Sequence, residues 1–101
     1  AISKALFDAL GPFLSKTAFV HYPANSFPAQ DKPLADDTHF NPYGAYELAK
    51  CVTMAIRIAI PDLAGYIRAD WRGFNPGKPD PVSEFHWYES PTVNLAKPDG
   101  N

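Results

Sequence analysis

Eleven prolines in 101 residues, about twice the usual share of ~5%, set where this chain can hold regular structure. They crowd into residues 23–42 and 76–98. Both stretches read as irregular, because proline lacks the N–H that a helix interior or a central strand requires. The windows left over are short. Ile2, Ala5, Leu6, Ala9 and Leu10 share one helical face, and Gly11-Pro12 stops that helix. Thr17-Ala18-Phe19-Val20-His21-Tyr22 is a β-prone run ended by Pro23. No second convincing strand follows, so a sheet needs strands from elsewhere. Residues 23–41 read as one long connection, and connections of that length inside a domain are usually functional or disordered.

The strongest element is a helix from about Pro42 to Ile60. Asn41 is a natural N-cap and Pro42 suits the first helical position. Ala45, Leu48, Ala49, Val52, Ile56, Ala59 and Ile60 make an apolar stripe at helical spacing, with Glu47, Lys50, Thr53 and Arg57 opposite. On that reading Glu47 and Lys50 are a surface pair contributing a few tenths of a kcal/mol. Pro61 breaks the helix, and Asp62 is placed to cap a short continuation through Leu63 to Ala69. From Trp71 the chain is irregular, and Phe74, Phe85, Trp87 and Tyr88 need a body to pack against. Neither internal repeats nor a linker divide the chain, which is long enough for one small domain.

The net charge is −2, with Lys and Arg scattered singly, which argues against nucleic-acid binding by phosphate neutralisation. No apolar run nears the ~20 residues of a membrane span. Ala1 to Leu6 lacks the apolar core of a secretory signal; a processed chain would have lost one. Cys51, the single cysteine, can form no intrachain disulfide and reads as a buried, inert thiol within the long helix.

Within the 23–41 connection, Asp36-Asp37-Thr38-His39 sets a carboxylate three residues before a histidine. Imidazole suits a general base working near neutral pH, and a carboxylate on its other nitrogen fixes the tautomer and stabilises the imidazolium. The i,i+3 offset lets Asp36 reach Nδ1 while Nε2 points outward; Asp37 diverges from the pair. The plainer alternative is that Asp36 or Asp37 caps a turn and His39 packs beside Phe40.

Asp-x-x-His followed by Asn-Pro-x-Gly at the start of an amphipathic helix resembles the last conserved block of the SGNH (GDSL-type) hydrolases. The longer string from Leu34 through Val52 is similar to the rhamnogalacturonan acetylesterase-like branch, carbohydrate esterase family twelve. Phe19-Val20-His21-Tyr22-Pro23 and Trp71-Arg72-Gly73-Phe74-Asn75-Pro76 also look like its bacterial members. The resemblance implies a three-layer (flavodoxin-like) α/β fold with a parallel sheet, here represented by a C-terminal portion that is mostly helix and loop with at most one or two short strands. It implies removal of acetyl groups from pectin-type polysaccharide, without cofactor or metal, by a Ser-His-Asp triad in which Asp36 and His39 are the acid and base. It also implies an extracellular or periplasmic setting. The departure is that Ser3, Ser15, Ser26, Ser83 and Ser90 all lack the family's Gly-Asp-Ser context, and its oxyanion-hole blocks are not visible. The nucleophile is therefore expected on an N-terminal part of the same domain, with acetylated carbohydrate as the other partner.

The remaining candidates have plainer readings. His21 and His86 read as structural. No ligand spacing supports a metal site built on His21 and His39. Trp71, Trp87 and Tyr88 are placed to pack, with stacking on sugar rings as the alternative. The competing function is a non-catalytic module that binds carbohydrate or protein through this aromatic tail.

Overall fold

Asn41 opens the longest helix as its position requires. In the computed structural model, which describes residues 1–88 and 96–99, its Oδ1 accepts from the Gly44 N–H at 2.9 Å and Pro42 takes the first turn of a helix running Pro42–Ala59. Numbering helices and strands along the chain, this is α2. It follows α1 (Ile2–Leu14), a 3-10 turn (Ser15–Ala18), β1 (Phe19–Tyr22) and β2 (Leu34–Phe40), and it precedes α3 (Pro61–Ala64) and a second 3-10 turn (Val82–Glu84). The architecture is mixed α/β, mostly helix and loop with two short strands. Ser90 and Pro91 lie outside the described residues.

Gly11 breaks α1 as expected: it adopts φ 72°, and one further turn restarts at Pro12. The second strand corrects the reading of 23–41 as connection throughout. β2 pairs antiparallel with β1, Tyr22 opposite Leu34 and Val20 opposite Asp36. Among the described residues the two strands pair only with each other. Prolines 23, 28 and 33 confine the irregular stretch to the hairpin loop. There Gln30 is buried and replaces secondary structure. Its Oε1 accepts from the N–H of Ser26 and Phe27 at 2.9 and 3.1 Å, and its Nε2 donates to the carbonyls of Pro23 and Lys32.

The core lies between α1 and α2: Leu6, Leu10 and Cys51, enclosed by Ile2, Phe7, Leu48 and Phe74. Burial pushes the Cys51 thiol up. Phe7, Phe19 and Phe40 stack beside it, with ring centroids 4.9 to 6.4 Å apart. Asn41 ties α2 to the start of β1, its Nδ2 donating to the carbonyls of Thr17 and Phe19 at 2.6 and 2.9 Å. One turn on, Gly44 lies so close to buried Ala18 that a Cβ there would stand 1.9 Å from the Ala18 carbonyl oxygen.

This contact turns α2 away from the face its pattern foretells. Tyr43, Gly44, Glu47 and Cys51 are buried, whereas Ala45, Ala49, Val52, Ala59 and Ile60 are exposed. Glu47, expected outside, is 0% exposed. Its Oε1 lies 2.8 Å from Lys50 Nζ, and that ammonium also bonds Asp80. Asp80 arrives on the segment after Trp71, which folds back on α2: Tyr43 donates to the Asp80 carbonyl at 2.7 Å, and Phe85 packs 5.5 Å from Tyr43 and Tyr46. Burial raises the Glu47 carboxyl, and the Lys50 bond opposes that rise. Phe74, Phe85 and Trp71, which sits under Arg57 at 5.3 Å, thus find partners within this chain, while Trp87 and Tyr88 stay exposed. Asp62 is not a cap: Ile60 holds the N-cap position and α3 ends at Ala64.

The surface left open is large. A folded monomer of this size exposes about 5,700 Å², and the chain exposes 7500 Å². Its radius of gyration is 15.6 Å, against about 13 Å for a compact domain of this length.

Gly44→Ala is expected to destabilise by about 3 kcal/mol or more, since backbone must move to admit the methyl. Gly65→Ala, with nothing within 4 Å of the added Cβ, is expected to leave the midpoint of thermal unfolding nearly unchanged. Lys50→Met leaves Glu47 buried and unpaired, and is expected to cost about 3–5 kcal/mol in chemical denaturation.

Candidate functional site: an Asp–His pair on a strand bulge

The hairpin register is what brings Asp36 to His39. Val20 pairs with Asp36, but the preceding residue of β1, Phe19, pairs with Phe40. Asp37, Thr38 and His39 are therefore extra residues on β2, a three-residue bulge of the kind that re-aims side chains. Period-two alternation points Leu34 and Asp36 inward. Asp36 then supplies what the ladder lacks: its Oδ1 accepts from the backbone N–H of Thr38 at 2.6 Å and of His39 at 2.9 Å. Its Oδ2 faces His39 Nδ1 at 2.9 Å. The carboxylate's side chain is 6% exposed and the imidazole's is 56% exposed.

This geometry answers both sequence alternatives at once. Asp36 does hold a turn, and it also bonds the imidazole; His39 is exposed rather than packed away. The backbone bond from His39, then the bond from its ring, then the Thr38 backbone bond hold the Asp36 carboxyl down at about 2. A carboxylate on Nδ1 keeps the proton there, so Nε2 presents its lone pair outward. Among the described residues no group bonds Nε2. The pair can thus accept a proton at Nε2 and steady the cation that results.

Asp37 diverges as expected, but it has a partner the sequence reading missed. Its Oδ1 meets His21 Nε2 across the hairpin at 2.6 Å, giving structural His21 a specific task as a clasp between the strands. The β-prone run 17–22 would have revealed this only with the register known. His86 stands edge-on to Tyr88 at 5.4 Å. The hydroxyls of Ser15 and Ser26 bond the carbonyls of Phe7 and Pro23, not His39. Among the described residues no three His, Cys, Asp or Glu side chains are arranged to hold a metal, and no helix is long and apolar enough to cross a membrane.

Comparison with known proteins adds one relative. Over 56 residues, 55% of this chain, it is 41% identical to a protein named rhamnogalacturonan acetylesterase RhgT from Bacillus subtilis (strain 168). The match covers 24% of that protein, so the chain spans about a quarter of its relative's length. No family model and no solved structure matches the chain.

The Asp36 carboxyl ionises near 2 in the folded state, below the value of about 3.9 for an unfolded aspartate. Its stabilisation is therefore full above the unfolded value and is lost as pH falls through about 2. A carboxyl chemical-shift titration is expected to place the Asp36 midpoint near 2. In His39→Ala that midpoint should rise yet stay below the ordinary range, because the backbone bonds persist.

Proposed function

We propose that this chain is the C-terminal part of a single SGNH-type hydrolase domain of three-layer α/β architecture, secreted or periplasmic, that removes acetyl groups from pectin-type polysaccharide. The observation that carries the proposal is the 2.9 Å bond from a solvent-facing imidazole to a buried, ionised carboxylate. In this reading His39 Nε2 takes the proton of a serine hydroxyl as its oxygen attacks the acetyl carbonyl. The imidazolium, steadied by Asp36, then gives that proton to the departing sugar hydroxyl, leaving an acetyl-enzyme. Water, deprotonated by the same nitrogen, releases acetate and restores the serine. Serine and oxyanion donors come from the N-terminal part of the domain.

Three further observations support this reading. The named relative is an acetylesterase of which this chain spans 24%. The exposed apolar side of α2, carrying Ala45, Ala49, Val52 and Ile60, is a face suited to burial. The surface in excess of a compact monomer, about 1,800 Å² on this one chain, is about twice what one partner contributes to a standard protein–protein interface.

Acetate release from acetylated rhamnogalacturonan and from p-nitrophenyl acetate, measured on the whole protein that carries this chain, tests the assignment. His39→Ala is expected to lower kcat by about 10⁴-fold or more. Near-normal turnover after that change rules out His39 as the base.

A further inference from the structure

We infer that His21 and Asp37 are positioning residues for the base: bonded across the hairpin, they fix the bulge from which His39 projects. The inference rests on the esterase reading and adds two residues to its site. The ladder steps from Val20 opposite Asp36 to Phe19 opposite Phe40. It therefore fixes the two ends of the bulge and not the path between them. Phe40 secures the far end by stacking on Phe19 at 4.9 Å. Asp36 sets the shape of the bulge through the N–H groups of Thr38 and His39. Those bonds are internal to β2 and do not place the bulge on the partner strand. Among the described residues, the side-chain bond that carries the bulge to β1 runs from His21 Nε2 to Asp37 Oδ1 at 2.6 Å. A carboxylate can only accept, so Nε2 is the protonated nitrogen.

Strand alternation puts this bond where it acts on His39. Val20 and Asp36 are buried and opposite each other, so their neighbours His21 and Asp37 turn to the other face. The residue opposite His21 is Ala35. Its methyl leaves the imidazole room to lean along the diagonal to Asp37, a span of about 7–8 Å that long side chains bridge. Asp36 and Asp37 thus hold one stretch of backbone from its two faces. His39 lies two residues beyond Asp37, and its side chain is 56% exposed, so packing does little to place it. Magnitudes decide what the bond is for. Asp37 is 78% exposed, and an ion pair so open contributes little to global stability. A reacting group displaced by about 1 Å, in contrast, can lose on the order of 10²-fold in rate. The bond therefore matters for where the base stands, and hardly for whether the chain folds.

Kinetics on p-nitrophenyl acetate and NMR relaxation dispersion, both on the whole protein that carries this chain, test this with His21→Ala, Asp37→Ala and the double variant. Each single change is expected to lower kcat about tenfold or more, with KM and the midpoint of thermal unfolding nearly unchanged. The double variant should be no worse than either alone, because all three remove one bond. His21→Gln, whose amide nitrogen reaches the place of Nε2, should restore most of kcat. The backbone amides of Thr38 and His39 should show μs–ms exchange in His21→Ala and be quiet in the unmodified protein and in His21→Gln. Undiminished kcat in both single variants, additive losses, no rescue by glutamine, or a kcat loss matched by a fall in the thermal midpoint overturns the inference. An unmodified protein that releases no acetate overturns the esterase reading instead. The exchange at Thr38 and His39 then decides by itself whether the pair fixes the bulge.

Discussion

Asn41 is the constraint on which the remaining geometry depends. One side-chain amide caps α2 through Gly44 and grips the carbonyls of Thr17 and Phe19. Helix start, 3-10 turn and strand start thus meet at a single residue. That junction admits Gly44 against Ala18, and the close approach sets which face of α2 turns inward. The face that is buried carries Tyr43 and Glu47 beneath the returning segment, and Lys50 then binds Glu47 to Asp80. Burial of the Glu47 carboxylate and most of the Lys50 side chain costs desolvation that their contacts with each other and with half-exposed Asp80 offset. The tail is therefore held by a charge cluster as much as by its aromatic rings.

The aspartate of the candidate site does structural and chemical work with the same atoms. Oδ1 replaces the missing sheet partners of two backbone amides, and Oδ2 orients the imidazole. Bonds to the ionised form are what depress its titration, so the force that shapes the bulge also keeps the acid charged. His21 and Asp37 clasp the neighbouring positions of the hairpin, limiting the slippage to which a two-stranded ribbon is otherwise prone.

Much of this was legible in the sequence, and the failures have physical causes. The Asn41-Pro42 start, the break at Gly11 and the Asp36–His39 offset rest on contacts between near neighbours, and the burial of Cys51 followed from its apolar helical setting although its partners Leu6 and Leu10 lie on α1. β2 was missed because its inward alternation passes through Asp36, a residue that reads as loop, and because the bulge breaks the period at Thr38 and His39. The wrong face of α2 was chosen because periodicity reports where apolar residues lie, not which of them this chain covers. Glu47 and Gln30 were unreadable as buried: the segment that covers Glu47 arrives with Asp80, whose N–H reaches Glu47 Oε2 at 3.4 Å, and Gln30 bonds the Pro23 carbonyl, contacts that only the folded path brings near.

The bulge makes the acid–base pair a self-contained local unit. Its three hydrogen bonds span at most three residues of sequence, so closing them costs little loop entropy, and they can form as soon as β2 adopts its kinked path. On the proposed reading, a base assembled this way meets its serine already aimed, and the slow, long-range part of building the site is the docking of two surfaces, not the search of a histidine for its carboxylate.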